Sequence, residues 1–455
     1  MINREFERRR LREAAMHAPQ LVVLRGRRRV GKSYLLNHSL EDEDWLLVYF
    51  QADEGEESEH LALFASEVGR VAGAPLRFSD WDAALGYLPT LAATQGRSIV
   101  VVLDEYQWLR RAQPRIDSQL MRHFDRWERD RTPITVATSG SAISSMEDLL
   151  SGAKPMFGRA SYRPLLQPFD YRDAARFGPA DASAEAKLRR FGVLGGTAQY
   201  QVWAGRDRLH EVMRHRILTS GESLFEEPLQ LIRGEDGIRE PGSYFAILRA
   251  IASGATRAGE IQSRSQVRSS QLLSKRLDRL RELAYVVERQ PVGGNGRTRW
   301  EIADPYFAFW FRYVYPNRSR LQRGRIDATL AAIESDLDNH LGWVFEQVCR
   351  TWVERYANGA AFERAQGVGG YWTRTHDLEV DIAARAGREI VLLGSCKWSR
   401  RAETGVLDDL LSARDRIDGA AAAELLIFAR GFDARLTRAA AELGVRLVGA
   451  EELYG

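Results

Sequence analysis

A chain of 455 residues exceeds what one hydrophobic core supports, so about two to four domains are expected. A hydrophobic fraction of 44%, a charged fraction of 28% and a net charge of +3 are ordinary for a globular protein and give no global field for nucleic acid, so any basic surface must be local. Two cysteines, Cys349 and Cys396, cannot build a disulfide framework and fit a reducing, cytoplasmic setting. The charged first segment does not read as a secretory signal, and the longest apolar runs are too short to span a bilayer, so no membrane partner is expected.

The runs 21–24 (LVVL), 46–50 (LLVYF), 99–103 (IVVVL) and 134–138 (ITVAT) are short, continuous and rich in Val and Ile, as in strands buried on both faces of a parallel sheet. Helical patterns between them, at 59–72 and 115–129, predict an α/β domain at the start of the chain, drawn here as 1–178. Gly26-Arg27-Arg28-Arg29-Val30-Gly31-Lys32-Ser33 fits G-x-x-x-x-G-K-[ST] and sits between the first strand run and a helical segment. Gly26 and Gly31 permit backbone angles that a Cβ forbids, so successive N–H groups can point at phosphate oxygens. Gly26, Arg29, Val30, Gly31, Lys32, Ser33 and Tyr34 are the expected nucleotide cradle. Lys32 is assigned to the β- and γ-phosphates and the Ser33 hydroxyl to Mg²⁺.

The run 99–103 ends in Asp104-Glu105. Asp104 can hold the Mg²⁺ shell and Glu105 can polarise the attacking water, so the expected reaction is phosphoryl transfer from ATP to water. After the fourth run, Ser139 of Thr138-Ser139-Gly140-Ser141 is a candidate for orienting that water or touching the γ-phosphate. Arg159 of Gly158-Arg159 is a candidate transition-state cation, in cis or on a neighbouring copy; for each, an ordinary surface role is the alternative.

Residues 182–235 look helical, broken at Gly195-Gly196, and 179–238 is drawn as a helical lid. Gly234, Gly237, Pro241 and Gly242 mark a boundary. Three helical patterns from Tyr244 and two short runs around Gly293-Gly294-Asn295-Gly296 suggest a winged helix at 239–304. Residues 261–300 carry nine Arg or Lys against three acids, and Arg268, Lys275, Arg276, Arg279 and Arg297 are the DNA-binding candidates, on or before the third helix and on the wing. The alternative is a winged helix used for protein contact. An aromatic segment and basic residues form a connector at 305–334. The last unit, 335–455, reads helix, hairpin, strand, helix, strand, helix.

Asn3-Arg4-Glu5, the loop GRRRVGKS, LDEYQWL (103–109), TSGSAISSMEDLLSG (138–152), GRA (158–160), LLQPFDYRDA (165–174) and Gly195-Gly196 resemble the archaeal-type P-loop ATPases, in the signal-transducing branch of the AAA-like group. The resemblance implies that Asn3-Arg4-Glu5 lies near the adenine, with Asn3 and Arg4 as the binding candidates; Ala198 stands where that family usually has proline. IADPYFAFWFRYVYP (302–316) resembles the start of the companion region of these ATPases, which ends in a PD-(D/E)xK nuclease-type fold. On that pattern Glu379, Asp381 and Lys397 have suitable order and spacing, with Glu346 as the helical acid. Ser395 replaces the acid two residues before the lysine, and serine is a poorer ligand for a hard cation than carboxylate. Two readings stay open for this domain: a working nuclease, or a degenerate nuclease fold that binds nucleic acid or a partner.

The expected architecture is therefore a P-loop parallel-sheet ATPase domain with a helical lid, a winged helix and a restriction-endonuclease-like α/β domain. The expected function is an ATPase, with ATP and Mg²⁺, that couples nucleotide state to DNA. Homo-oligomers or a protein partner are possible further associations. The rival readings are a metal-dependent DNA nuclease regulated by ATP and a nucleotide-gated recruitment switch with little turnover.

Overall fold

In the first unit, Met1–Pro168, the apolar runs become β1 (Gln20–Arg25), β2 (Trp45–Gln51), β3 (Ser98–Asp104) and β4 (Ile134–Gly140). The computed structural model describes residues 2–152, 154–235, 237–375 and 377–455. These strands form a parallel sheet in the order β1-β4-β3-β2. Residues 162–165 run beside the other edge of β1, where Val22 pairs with Tyr162 and Arg25 with Leu165. The strand that leads into the glycine loop is therefore interior.

Alternation explains the unbroken apolar runs. Leu21, Val23, Val48, Phe50, Ile99, Val101 and Leu103 face one layer, with Phe64, Trp81, Leu85 and Phe124 from the helices Glu57–Ala72, Trp81–Gln95 and Ile116–Asp130. Val22, Leu24, Val100, Val102 and Ala137 face the other, with Leu11, Ala15, Leu35 and Leu36 from Glu5–Met16 and Lys32–Leu40. Helices cover both faces, so successive residues of β1, β3 and β4 are buried.

The second unit is Phe169–Gly455. Helices Pro241–Ala252, Ala258–Ser265 and Ser270–Glu282 precede an antiparallel ribbon of β5 (Val286–Arg289) and β6 (Arg299–Ile302). A second sheet holds β7 (Gly367–Trp372), β8 (Glu379–Ala386), β9 (Glu389–Lys397), β10 (Glu424–Ala429) and β11 (Arg446–Val448), in the order β11-β10-β9-β8-β7. β7, β8 and β9 are antiparallel neighbours, while β9, β10 and β11 run parallel.

The connector drawn at 305–334 is not a linker. Tyr306, Phe307, Phe309, Trp310 and Phe311 are fully buried in the core that also holds Phe225, Phe245 and Leu248. An aromatic cluster of this size gains more from burial than a linker gains from freedom. The boundary drawn at 335 falls inside one continuous helix, Ile326–Arg355. Its last three turns bury Phe345, Val348 and Trp352 against the second sheet. Among the described residues, no helix is long and apolar enough to cross a membrane.

Candidate functional site

The loop between β1 and the helix Lys32–Leu40 closes with Gly31 at φ 96°, a left-handed angle that costs glycine nothing and turns the chain into the helix. Val30 is buried in the core beneath and anchors the loop. Lys32 is buried, and its Nζ donates to the carbonyl oxygens of Gly26 at 2.9 Å and Arg27 at 3.1 Å. Burial lowers its pKa, while the nearby Glu105 and Asp104 carboxylates act in the opposite direction. The loop thus holds an ammonium at its centre, within the field of both acids.

Asp104 ends β3 and is wholly buried. Its Oδ1 accepts hydrogen bonds from the Ser139 hydroxyl and, at 2.9 Å, from the Glu105 N–H; its Oδ2 accepts from the Tyr49 hydroxyl at 2.7 Å. The Ser33 hydroxyl lies close to the same phenol. Tyr49, Asp104 and Ser139 form one hydrogen-bonded group at the ends of β2, β3 and β4, with Ser33 of the first helical turn after β1 beside it. The sheet order makes this possible, because β4 lies between the loop strand and the acid strand.

Glu105 has φ 52° and ψ 42°, a left-handed conformation that costs a non-glycine residue about 1 kcal/mol or more. The turn swings its carboxylate toward the end of β4. There Oε2 accepts from Ser141 Oγ at 2.7 Å and from Gln107 Nε2. Gln107 Nε2 also reaches Ser141 Oγ at 3.2 Å. A carboxylate so held stands ready as a proton acceptor once a water lies beside it.

Other sequence candidates lie as follows. Arg4 donates its backbone N–H to Asn3 Oδ1 at 2.6 Å, and its guanidinium reaches Gln167 O and Glu7. Both residues have positive φ, which fixes the entry into the first helix. Arg29 is exposed at φ 74° on the loop. Tyr34 is exposed and stacked on His38 with ring centroids 3.8 Å apart. Arg159, on the surface, binds Asp125 through Nε and Nη2 at 2.6 and 3.0 Å and Pro155 O through Nη1 at 2.7 Å, in keeping with the ordinary surface role given as its alternative. Sequence reasoning missed Tyr49, Gln107 and Ser141 as members of the site. Tyr49 was legible only through strand pairing, because Gln51, two residues on, is in register with Asp104.

In the second unit Glu346, Glu379 and Asp381 gather near Glu301 of β6, and arginines pair with the two glutamates. Arg350 bonds Glu346 at 2.9 Å, lies 3.6 Å from Glu301 and donates to the Asp381 carbonyl at 3.4 Å. Arg299 grips Glu379 through two bonds of 2.6 and 2.8 Å. Asp381 Oδ2 accepts from the Cys396 N–H at 2.7 Å and from Ser395 Oγ at 3.3 Å. Burial and the Asp381 charge push Glu346 up to about 8. Lys397, at the end of β9, is exposed. Guanidinium groups thus take oxygens of Glu346 and Glu379, while the Asp381 carboxylate is bound by an N–H and a hydroxyl. No group of three or more metal-ligating side chains forms among the described residues.

The basic candidates divide by exposure. Arg268, Lys275 and Arg297 are exposed. Arg276 is turned inward: it is buried and paired with Glu240 at 2.7 Å. Arg279 is half-buried and paired with Glu282 at 3.0 Å. The ribbon tip is also not free. The Val292 N–H donates to Gly370 O at 2.8 Å, the Gly296 N–H to Trp372 O at 3.1 Å, and Trp372 Nε1 to Arg297 O at 2.8 Å. These bonds dock the ribbon on β7.

Residues 1–189 match the family model of an ATPase domain predominantly from Archaea, and residues 310–407 match one of archaeal and bacterial proteins of unknown function. An uncharacterized protein of Methanocaldococcus jannaschii is 26% identical over 396 residues, 83% of each chain. Among solved structures, a Walker-type ATPase of Pyrococcus abyssi is 21% identical, with 68% of this chain and 96% of its own covered and a TM-score of 0.53. The ORC2 protein of Aeropyrum pernix is 15% identical, with 74% and 96% covered and a TM-score of 0.48. The chain is thus similar to archaeal Walker-type ATPases, with an α/β fold whose parallel sheet resembles theirs and a separate C-terminal sheet domain of a kind without assigned function.

Proposed function

We propose that this protein hydrolyses ATP at the strand ends of its first unit and couples nucleotide state to DNA through its second. The carrying observation is the buried Lys32 ammonium inside the glycine loop, with Ser33 beside the phenol that binds Asp104. On this reading Lys32 neutralises the β- and γ-phosphates, and Ser33 and Asp104 hold Mg²⁺. The cation, when bound, would draw charge from the phosphate oxygens. Glu105, oriented by Ser141 and Gln107, takes the proton of the attacking water. Ser139 fixes Asp104 through its hydroxyl. Asn3 and Arg4 border the adenine side.

The three helices and ribbon are read as a winged helix over 239–304. The second sheet is read as a degenerate nuclease-like domain, because the strand order suits such a fold while two of its acids, Glu379 and Glu346, are held by Arg299 and Arg350. This does not favour strand cleavage. With the ribbon tip docked, the DNA contacts fall to the exposed Arg268 and Lys275.

Phosphate release by the whole chain, compared with Glu105→Gln, tests the reading. The variant should bind ATP as before and turn over about 100- to 10,000-fold more slowly. Equal rates would remove Glu105 as the base and favour a switch with negligible turnover.

A further inference from the structure

We infer that Tyr49 is a positioning residue for the divalent cation at the nucleotide site, an inference that rests on Ser33 and Asp104 holding that cation. The phenol has one hydrogen, and Asp104 Oδ2, 2.7 Å away, can only accept. That hydrogen is committed to Asp104, so toward the nearby Ser33 hydroxyl the phenol can act only as an acceptor. A Ser33 hydroxyl turned toward that acceptor keeps its lone pairs for a cation. A serine free to rotate would present its hydrogen as often.

The same phenol fixes the acid. Asp104 Oδ1 is held by Ser139 and by the Glu105 N–H, and Oδ2 by Tyr49, so the carboxylate is tied at both ends. Tyr49 is in turn placed by backbone, because β2 and β3 pair in parallel with Tyr49 opposite Val102 and Gln51 opposite Asp104. Such partners of metal ligands typically change metal affinity or activity by about 10- to 100-fold when removed.

The test is Tyr49→Phe in the full chain, which keeps the ring and removes the hydroxyl, with thermal unfolding as a folding control. A fluorescent ATP analogue is titrated in EDTA, and turnover is followed against Mg²⁺ concentration. The expected result is unchanged affinity in EDTA and a half-maximal Mg²⁺ concentration raised about tenfold or more. A merely structural role would move both or neither. If the native chain responds to Mg²⁺ and Tyr49→Phe responds identically, the role of Tyr49 is overturned alone. If the native chain handles the nucleotide identically in Mg²⁺ and EDTA, the site reading falls and this role with it.

Discussion

Gly296 and Trp372 approach so closely that a Cβ on Gly296 would lie 2.0 Å from the indole Cδ1 and 2.7 Å from the Trp372 carbonyl oxygen. The indole cannot simply rotate away, because its Nε1 is bonded to Arg297 O and the Arg299 guanidinium lies 4.4 Å from its ring centre. Gly296→Ala should therefore lift the ribbon from β7 and destabilise the second unit by about 1–3 kcal/mol. A lower unfolding midpoint, with earlier proteolysis in the ribbon, is the expected readout. A native midpoint would show that the contact yields without cost.

The ribbon and the loop show what the sequence could reveal. The glycine loop and the Asp104-Glu105 pair were legible because both are local: a contiguous motif and the end of one apolar strand. The helices and ribbon of residues 241–302 were legible for the same reason. Gly293-Gly294-Asn295-Gly296 looked like a hairpin turn and is one, but its glycines also serve contact with Trp372, some 75 residues away, which no local pattern encodes. Arg276 was counted with the basic surface of its helix, and only the fold shows it turned onto Glu240. Arg350 escaped notice because an arginine four residues after Glu346 reads as a solvated helix pair. In the structure it is 13% exposed and also faces Glu301. Tertiary charge pairing is written in pairs of distant residues, and one sequence does not mark which are partners.

Lys32→Ala should weaken ATP binding about 100-fold, equivalent to about 3 kcal/mol for a charge-assisted contact, while leaving the chain folded. The lysine's partners here are loop carbonyls rather than core side chains, so its loss removes charge from the loop and little packing. Calorimetric titration of the variant decides the matter. Native affinity for ATP would contradict the assignment of the loop.

The second unit carries a pH dependence of its own. His340 is buried among Phe309, Tyr313 and Trp343, its Nε2 lies 2.8 Å from Gly192 O, and burial pushes its pKa down to about 4 from 6.5. The neutral ring is therefore native, while the unfolded chain gains a proton as pH falls below about 6.5. The stabilising term is present above that value and is lost as pH drops toward 4, amounting to about 2 kcal/mol between pH 7 and pH 5. Denaturant unfolding of the native chain should show this fall, and His340→Gln should flatten it. Parallel pH curves for the two proteins would place the dependence elsewhere.

DNA binding separates the exposed cations from the paired ones. Arg268 and Lys275 face solvent before and on the helix Ser270–Glu282, whereas Arg276 is buried against Glu240. Phosphate contacts release counterions, so each lost cation should reduce the salt slope of binding by about 1. Lys275→Ala and Arg268→Ala should each weaken binding with that signature and leave the unfolding midpoint unchanged. Arg276→Ala should do the reverse: it strips Glu240 of its partner and the helix of a buried stem, so stability falls while the salt slope stays native. Gel shifts over a range of salt concentrations, paired with thermal unfolding, read both effects. An unchanged slope for Lys275→Ala and Arg268→Ala together would take this helix out of the DNA contact.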